Sequence, residues 1–345
     1  MALKRYINQK VGSKTEVELF KLMIDYFQRA PFAHVIHKVK ETHHHDVLYS
    51  PIPPYDKKWG KQIEKEISDV FFMVVSNKRH IARMTHLQAK LEKKKRPNQS
   101  FSFTLDAGQY LMLHNRLDII DPQRVYPRDI FSNPLYTDSV ASYGVFYKDN
   151  QQKYDMAFEI ASLITYNNQK LYRSKDSQLV HSFATVDDFW GVCNKRYDNA
   201  FWRRYIKKFN PFYAPYPYYS HYYNAPELLS TTSLDTFERE LLNAKIGTRV
   251  DFDIKLMNCF TNIFSQNANA NNLYTSFIQG QELFLRAYGL LEEIDILFRI
   301  LAETGNKPPH DFEDMGHFNP ENISGTYILI DADSANFDYI PNKRD

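Results

Sequence analysis

The chain has 345 residues, 43% hydrophobic and 24% charged, an ordinary globular balance that fits one large domain or two smaller ones. With only 11 Gly and neither GxGxxG nor GxxxxGK[ST], the sequence excludes the glycine-rich phosphate loops, and two distant cysteines, Cys193 and Cys259, exclude a disulfide framework or a structural zinc site. The net charge of +2 is unevenly spread: residues 57–96 hold twelve Lys or Arg against four acidic residues, and residues 306–345 hold three against eight.

Residues 15–29 read as a helix, capped by Ser13 or Thr15, with Val17, Phe20, Ile24 and Phe27 as its apolar stripe and Pro31 beyond its end. Glu16 lies one turn before Phe20, on the border of that face, and Glu18 is its competitor. Residues 32–40 are expected to be a strand. In the run Glu41 to Asp46, three adjacent His on an extended chain point to alternating faces, so a polar turn is expected rather than a metal site. Residues 50–55, SPIPPY, form a rigid loop.

Residues 67–91 carry the chemistry. Asp69 opens the apolar run 70–75, and a polar turn follows at 76–79. Beyond the turn, Ile81, Arg83, Thr85, Leu87, Ala89 and Leu91 alternate with a mostly polar series, which favours a second strand. A helix with Ile81, Met84, Gln88 and Leu91 on one face is the competing reading. In a hairpin, Gln88 and Lys90 share a face and Asp69 can lie opposite them. Carboxylate and amide oxygens suit Mg²⁺, and a nearby Lys can hold a water or stabilise developing negative charge. Beyond Leu91, the run Lys93, Lys94, Lys95 is a candidate phosphate-binding segment.

Residues 98–104 read as a strand and 105–117 as a helix started by Asp106, with Gln109 expected on its exposed side, the alternative being a contact with the substrate or the metal shell. A loop at 122–134, a strand at 140–147, a strand or short helix at 154–165 and a helix at 185–199 come next. Residues 201–223 hold eleven aromatics interleaved with Arg203, Arg204, Lys207 and Lys208. Such a stretch can stack bases and hold phosphates, or pack against the core or a second subunit. Helical patterns run from 234, through 254–264 and over 277–301. A strand at 325–333 ends in Asp331 and Asp333, a rival metal pair or an acidic strand exit.

Asp69, the Gln88-Ala89-Lys90 triplet and an upstream helical Glu together resemble the PD-(D/E)xK nuclease superfamily in its QxK variant, found in Mrr-like and anti-phage effector nucleases. Ser68 stands where that motif has Pro. The resemblance implies an α/β restriction-endonuclease-like core, a mixed sheet flanked by helices, over residues 1–180. Residues 181–345 are then an aromatic-rich, mostly helical region for an interface or substrate. It also implies a catalytic set of Asp69, Gln88, Lys90 and Glu16, with Asp69, Gln88 and Glu16 holding Mg²⁺ or Mn²⁺. The implied activity is endonucleolytic hydrolysis of DNA, with RNA left open, in prokaryotic defence or restriction. Lys93, Lys94, Lys95, Arg203, Arg204 and Lys207 are the expected nucleic-acid contacts. The alternative is a non-catalytic assembly or nucleic-acid-binding protein, a homo-oligomer or a partner's subunit, that uses the same core as scaffold. No apolar h-region opens the chain and no run approaches membrane-spanning length, so a cytoplasmic protein without membrane contact is expected.

Overall fold

The computed structural model describes residues 2–12, 15–38, 45–50, 62–92, 100–133, 136–164, 177–182, 227–291, 294 and 324–335; for 100–102, 107, 138 and 177–182 only the backbone is described. The strands are β1 (Ala33–Lys38), β2 (Asp46–Tyr49), β3 (Ile63–Glu66), β4 (Val70–Ser76), β5 (Ile81–Leu91), β6 (Ser100–Leu105), β7 (Ile119–Ile120), β8 (Ala141–Lys148), β9 (Tyr154–Ile160), β10 (Ser177–Ser182), β11 (Ser230–Thr231), β12 (Thr248–Arg249) and β13 (Gly325–Asp331). The helices are α1 (Leu3–Lys10), α2 (Glu16–Arg29), α3 (Ala107–His114), α4 (Leu234–Leu242), α5 (Ile254–Phe264) and α6 (Ala268–Ala287).

The protein is α/β. One mixed, eight-stranded sheet runs β1-β13-β4-β5-β8-β9-β11, with β12 paired to the start of β5. β13 is parallel to β4 and β5 is parallel to β8, while the other pairs are antiparallel. β4 reads VFFMVVS and is buried along its whole length, as suits a strand covered on both faces. Val70, Phe72 and Val74 face α1, α2 and α4. Phe71, Met73 and Val75 face α3, α5 and α6. Rings clamp the layers: Phe72 meets Phe27 of α2 at 5.5 Å, and Phe71 meets Phe260 of α5 at 5.0 Å.

Residues 81–91 are a strand, not a helix, and the polar turn 77–80 reverses the chain with His80 at φ 51°. The expected division at 180/181 does not follow the sheet, because β11, β12 and β13 all join it. A strand in the middle of the sheet thus comes from the far end of the chain. The expected helix at 277–301 begins earlier, at Ala268, because the Asn267 side chain accepts from Asn269 N and Ala270 N and caps it there. Its expected end, like the helix expected over 185–199, falls outside the described residues. Residues 154–165 resolve into β9 and a single 3₁₀ turn, Ala161–Leu163.

α2 is fixed at both ends. Thr15 caps its start, accepting from Glu18 N at 3.2 Å. Near its other end Tyr26 Oη donates at 2.5 Å to buried Glu238 of α4, whose carboxylate also takes Ala2 N and Leu3 N of α1, both at 3.1 Å. The apolar stripe of α2 is Leu19, Met23, Ile24, Tyr26 and Phe27; Val17 was expected in it but is 60% exposed. Of the first turn of α2, Glu16 reaches the end of β5, while Leu19 enters the core.

One further expectation is corrected. His45 was read within a polar turn but is buried, its ring set between Tyr327 Oη and Asp121 Oδ1, each at 2.9 Å; residues 43 and 44 lie outside the described ones. Asp331 and Asp333 spend their oxygens locally. Asp331 accepts from Asp333 N and Ser334 Oγ, and Asp333 accepts from Ser76 Oγ and Lys78 N. The pair ties β13 to the turn after β4, as an acidic strand exit does.

Candidate active site

The site arises because β5 outruns β4. Val70 pairs with Leu87, and Asp69 N still donates to Leu87 O at 3.1 Å, but the regular β4 ladder stops there. Beyond that point the β5 amides on this side need other acceptors. Two carboxylates provide them. Asp69 Oδ2 accepts from Ala89 N at 2.6 Å, and Glu16 Oε2, at the first position of α2, accepts from Leu91 N at 3.0 Å. On the other side β5 stays paired with β8 through Leu91. An open half-edge of one strand thus orients both acidic side chains.

Gln88 and Lys90 point from β5 to the face that carries Asp69. Gln88 is fully buried, and its amide has two settings. With its nitrogen toward Asp69 Oδ2, at 2.9 Å, its oxygen accepts from Gln109 Nε2 at 2.6 Å and from Ser68 N at 3.2 Å. The opposite setting puts the amide oxygen 2.9 Å from Asp69 Oδ2 but turns the amide nitrogen onto two donors, Gln109 Nε2 and Ser68 N, so the first setting is the one that the protein's own hydrogen bonds satisfy. Two oxygens at that separation repel unless a cation shares them. Neighbouring ligands of an octahedral ion with metal–oxygen bonds of about 2.1 Å stand about 3.0 Å apart. Lys90 Nζ lies 3.7 Å from Glu16 Oε1, and its side chain keeps 16% of its exposure. Glu18, the competitor of Glu16, turns away: Oε1 accepts from Gly12 N at 2.5 Å in the bend before α2.

Two further residues join the site: Gln109, for which this place was the less favoured reading, and Glu66, which the sequence did not assign to it. Gln109 was expected on an exposed helix face but is 5% exposed; its Nε2 donates to Glu66 O at 2.9 Å and meets the Gln88 amide. Asp106 caps α3 by accepting from Gln109 N at 2.9 Å, and this fixes which way that turn faces. Glu66, the last residue of β3, brings a further carboxyl. Burial pushes it well above the usual carboxylate range, the negative charge of Asp69 adds to the shift, and Lys90 opposes it. Glu16 is shifted the same way: burial raises it, Lys90 lowers it and Asp69 raises it. Carboxyl groups that raise one another crowd a common space, and a divalent cation relieves that crowding. The spacing Glu66-x-x-Asp69 carried the signal; in the fold Asp69 stands at the bend between β3 and β4, and its charge acts on Glu66.

The donor set is therefore hard oxygen, which fits Mg²⁺ or Mn²⁺ and not a soft metal. Among the described residues, no three His, Cys, Asp or Glu side chains form a ready cage. Mg²⁺ commonly keeps several waters and takes one or two carboxylates, with substrate phosphate completing its shell. Lys93, Lys94, Lys95, Arg203, Arg204 and Lys207 lie outside the described residues, as does the aromatic stretch 201–223. Among the described residues, no helix is long and apolar enough to cross a membrane. Set against protein-family models, curated proteins and solved structures, the chain matches none.

Proposed function

We propose that the chain is a Mg²⁺-dependent endonuclease that hydrolyses DNA phosphodiesters on a restriction-endonuclease-like core. One observation carries this reading: Asp69, Gln88, Glu16 and Lys90 gather on the unpaired half-edge of β5, beside Glu66. Asp69 and Gln88 would hold the cation, with Glu16 and Glu66 adding negative charge. When bound, the ion neutralises phosphate charge and makes its water more acidic.

The chain's own groups do the rest. Asp69 stays oriented because Ala89 N fixes Oδ2. In the setting without a cation, Gln109 and Ser68 N hold the Gln88 oxygen and its nitrogen faces Asp69, so sharing an ion with Asp69 would require the amide to turn over. Among the described residues, Lys90 brings a cation to this group, its Nζ 3.7 Å from Glu16 Oε1. Negative charge grows on the phosphate as water adds to phosphorus and the bond to the leaving oxygen breaks, and Lys90 Nζ offsets it there. The attacking water gives up a proton to solvent and the leaving oxygen takes one up, and because water attacks phosphorus directly no covalent intermediate is required. Glu16 keeps Lys90 from turning outward.

The test is incubation of the full chain with plasmid, linear and single-stranded DNA, with Mg²⁺ and with EDTA. Cleavage only with Mg²⁺ is expected. Binding without cleavage under both conditions would return the protein to the scaffold class.

A further inference from the structure

The polar row that begins at Asp69 does not stop at Gln88. In the parallel ladder between β5 and β8, Gln88 pairs with Tyr143, and in the next ladder Tyr143 pairs with Glu159. Their side chains lie on one face of the sheet, beneath α3. Tyr143 is 1% exposed, yet its hydroxyl is a buried polar atom without a hydrogen-bond partner among the described residues. An unmade bond of this kind costs free energy in a core, and native proteins rarely retain one without a use for it. Burial pushes the phenol well above its ordinary range, with neighbouring Tyr110 and then Asp106 and Asp69 adding to the shift; a phenol O–H is a hydrogen-bond donor. Phenylalanine would have filled the same volume at no polar cost.

We propose that Tyr143 is a positioning residue of the cation site, its O–H donating to a water in the shell of the ion held by Asp69 and Gln88. A water is the fitting acceptor because Gln88 and Tyr143 are both buried, which leaves no room there for a nucleic-acid strand. The inference rests on the nuclease reading for its cation but not for its test.

The test compares full-length wild type, Tyr143→Phe and Asp69→Asn by isothermal titration with Mn²⁺ alone, and by thermal melts of the metal-free proteins. Tyr143→Phe is expected to melt at the same temperature as wild type or higher, since it removes an unsatisfied hydroxyl. It is also expected to bind Mn²⁺ roughly tenfold or more weakly, the usual cost of losing a group behind the ligands. Asp69→Asn should weaken binding further. Unchanged Mn²⁺ affinity in Tyr143→Phe would overturn the inference while leaving the cation site standing, and so would a clear loss of metal-free stability. No Mn²⁺ binding by wild type would overturn the cation site and this inference together.

Discussion

Lys90 separates chemistry from binding. Its neighbour Glu16 is partly exposed, and an ion pair of that kind adds little stability. Lys90→Ala should therefore melt close to wild type. Single-turnover cleavage should fall by a factor on the order of 10²–10⁴, and DNA affinity only modestly. Equal losses in rate and affinity would make it a phosphate contact alone. His86, on the same strand face, supplies a pH test. Its ring packs among Phe71, Tyr126 and Phe131 and meets Ser68 Oγ at 3.2 Å. Burial pushes its imidazole down to about 3, with His45 adding to the effect. The unfolded chain then takes up a proton below about pH 6.5 that the folded chain refuses. Stability from this group is complete above that pH and declines by about 1.4 kcal/mol per pH unit as the pH falls toward the folded value. His86→Phe should lose that part of the acid sensitivity; parallel acid-side melting curves for the two proteins would contradict the assignment.

At the scale of elements, the offset between β4 and β5 creates the site and the cap of α2 aims Glu16 into it. Thr15→Ala should destabilise by about 1 kcal/mol, the common cost of losing such a cap. It should also slow cleavage, because Glu16 sits on the first turn that frays. A melt shift without a rate change would remove Glu16 from the working site. The hairpin was legible because period-2 alternation along 81–91 outweighs the weaker helical pattern, and because a polar turn separates two apolar runs. Glu66 and Gln109 were not legible as neighbours of Gln88. Nothing local in IEKE or AGQYLMLH shows which face will be covered; the bend at 67–69 and the Asp106 cap decide it. His45 failed for a related reason. Its partners Asp121 and Tyr327 are distant in sequence, so a polar-looking run concealed a buried histidine.

For the whole molecule, the sheet is closed by distant parts of the chain. β13, from beyond residue 324, lies between β1 and β4, and β12 braces the start of β5. Pattern reading found β13 as a strand but assigned it outside the core, since periodicity says what an element is and not which neighbour it takes. Gly247, at φ 93°, lets β12 approach so closely that a Cβ there would stand 2.4 Å from Met84 O. The strand that carries Gln88 and Lys90 is thus held at its other end by a residue far along the chain. The measurement that bears most directly on the central claim is Mg²⁺-dependent cleavage by wild type and Asp69→Asn, side by side, after melts show both folded. The Asn side chain retains an oxygen for Ala89 N and loses the charge, so the fold should persist and cleavage should vanish. Full cleavage by a well-folded Asp69→Asn protein, or cleavage by wild type that is indifferent to EDTA, would contradict a metal-assisted nuclease site on β5.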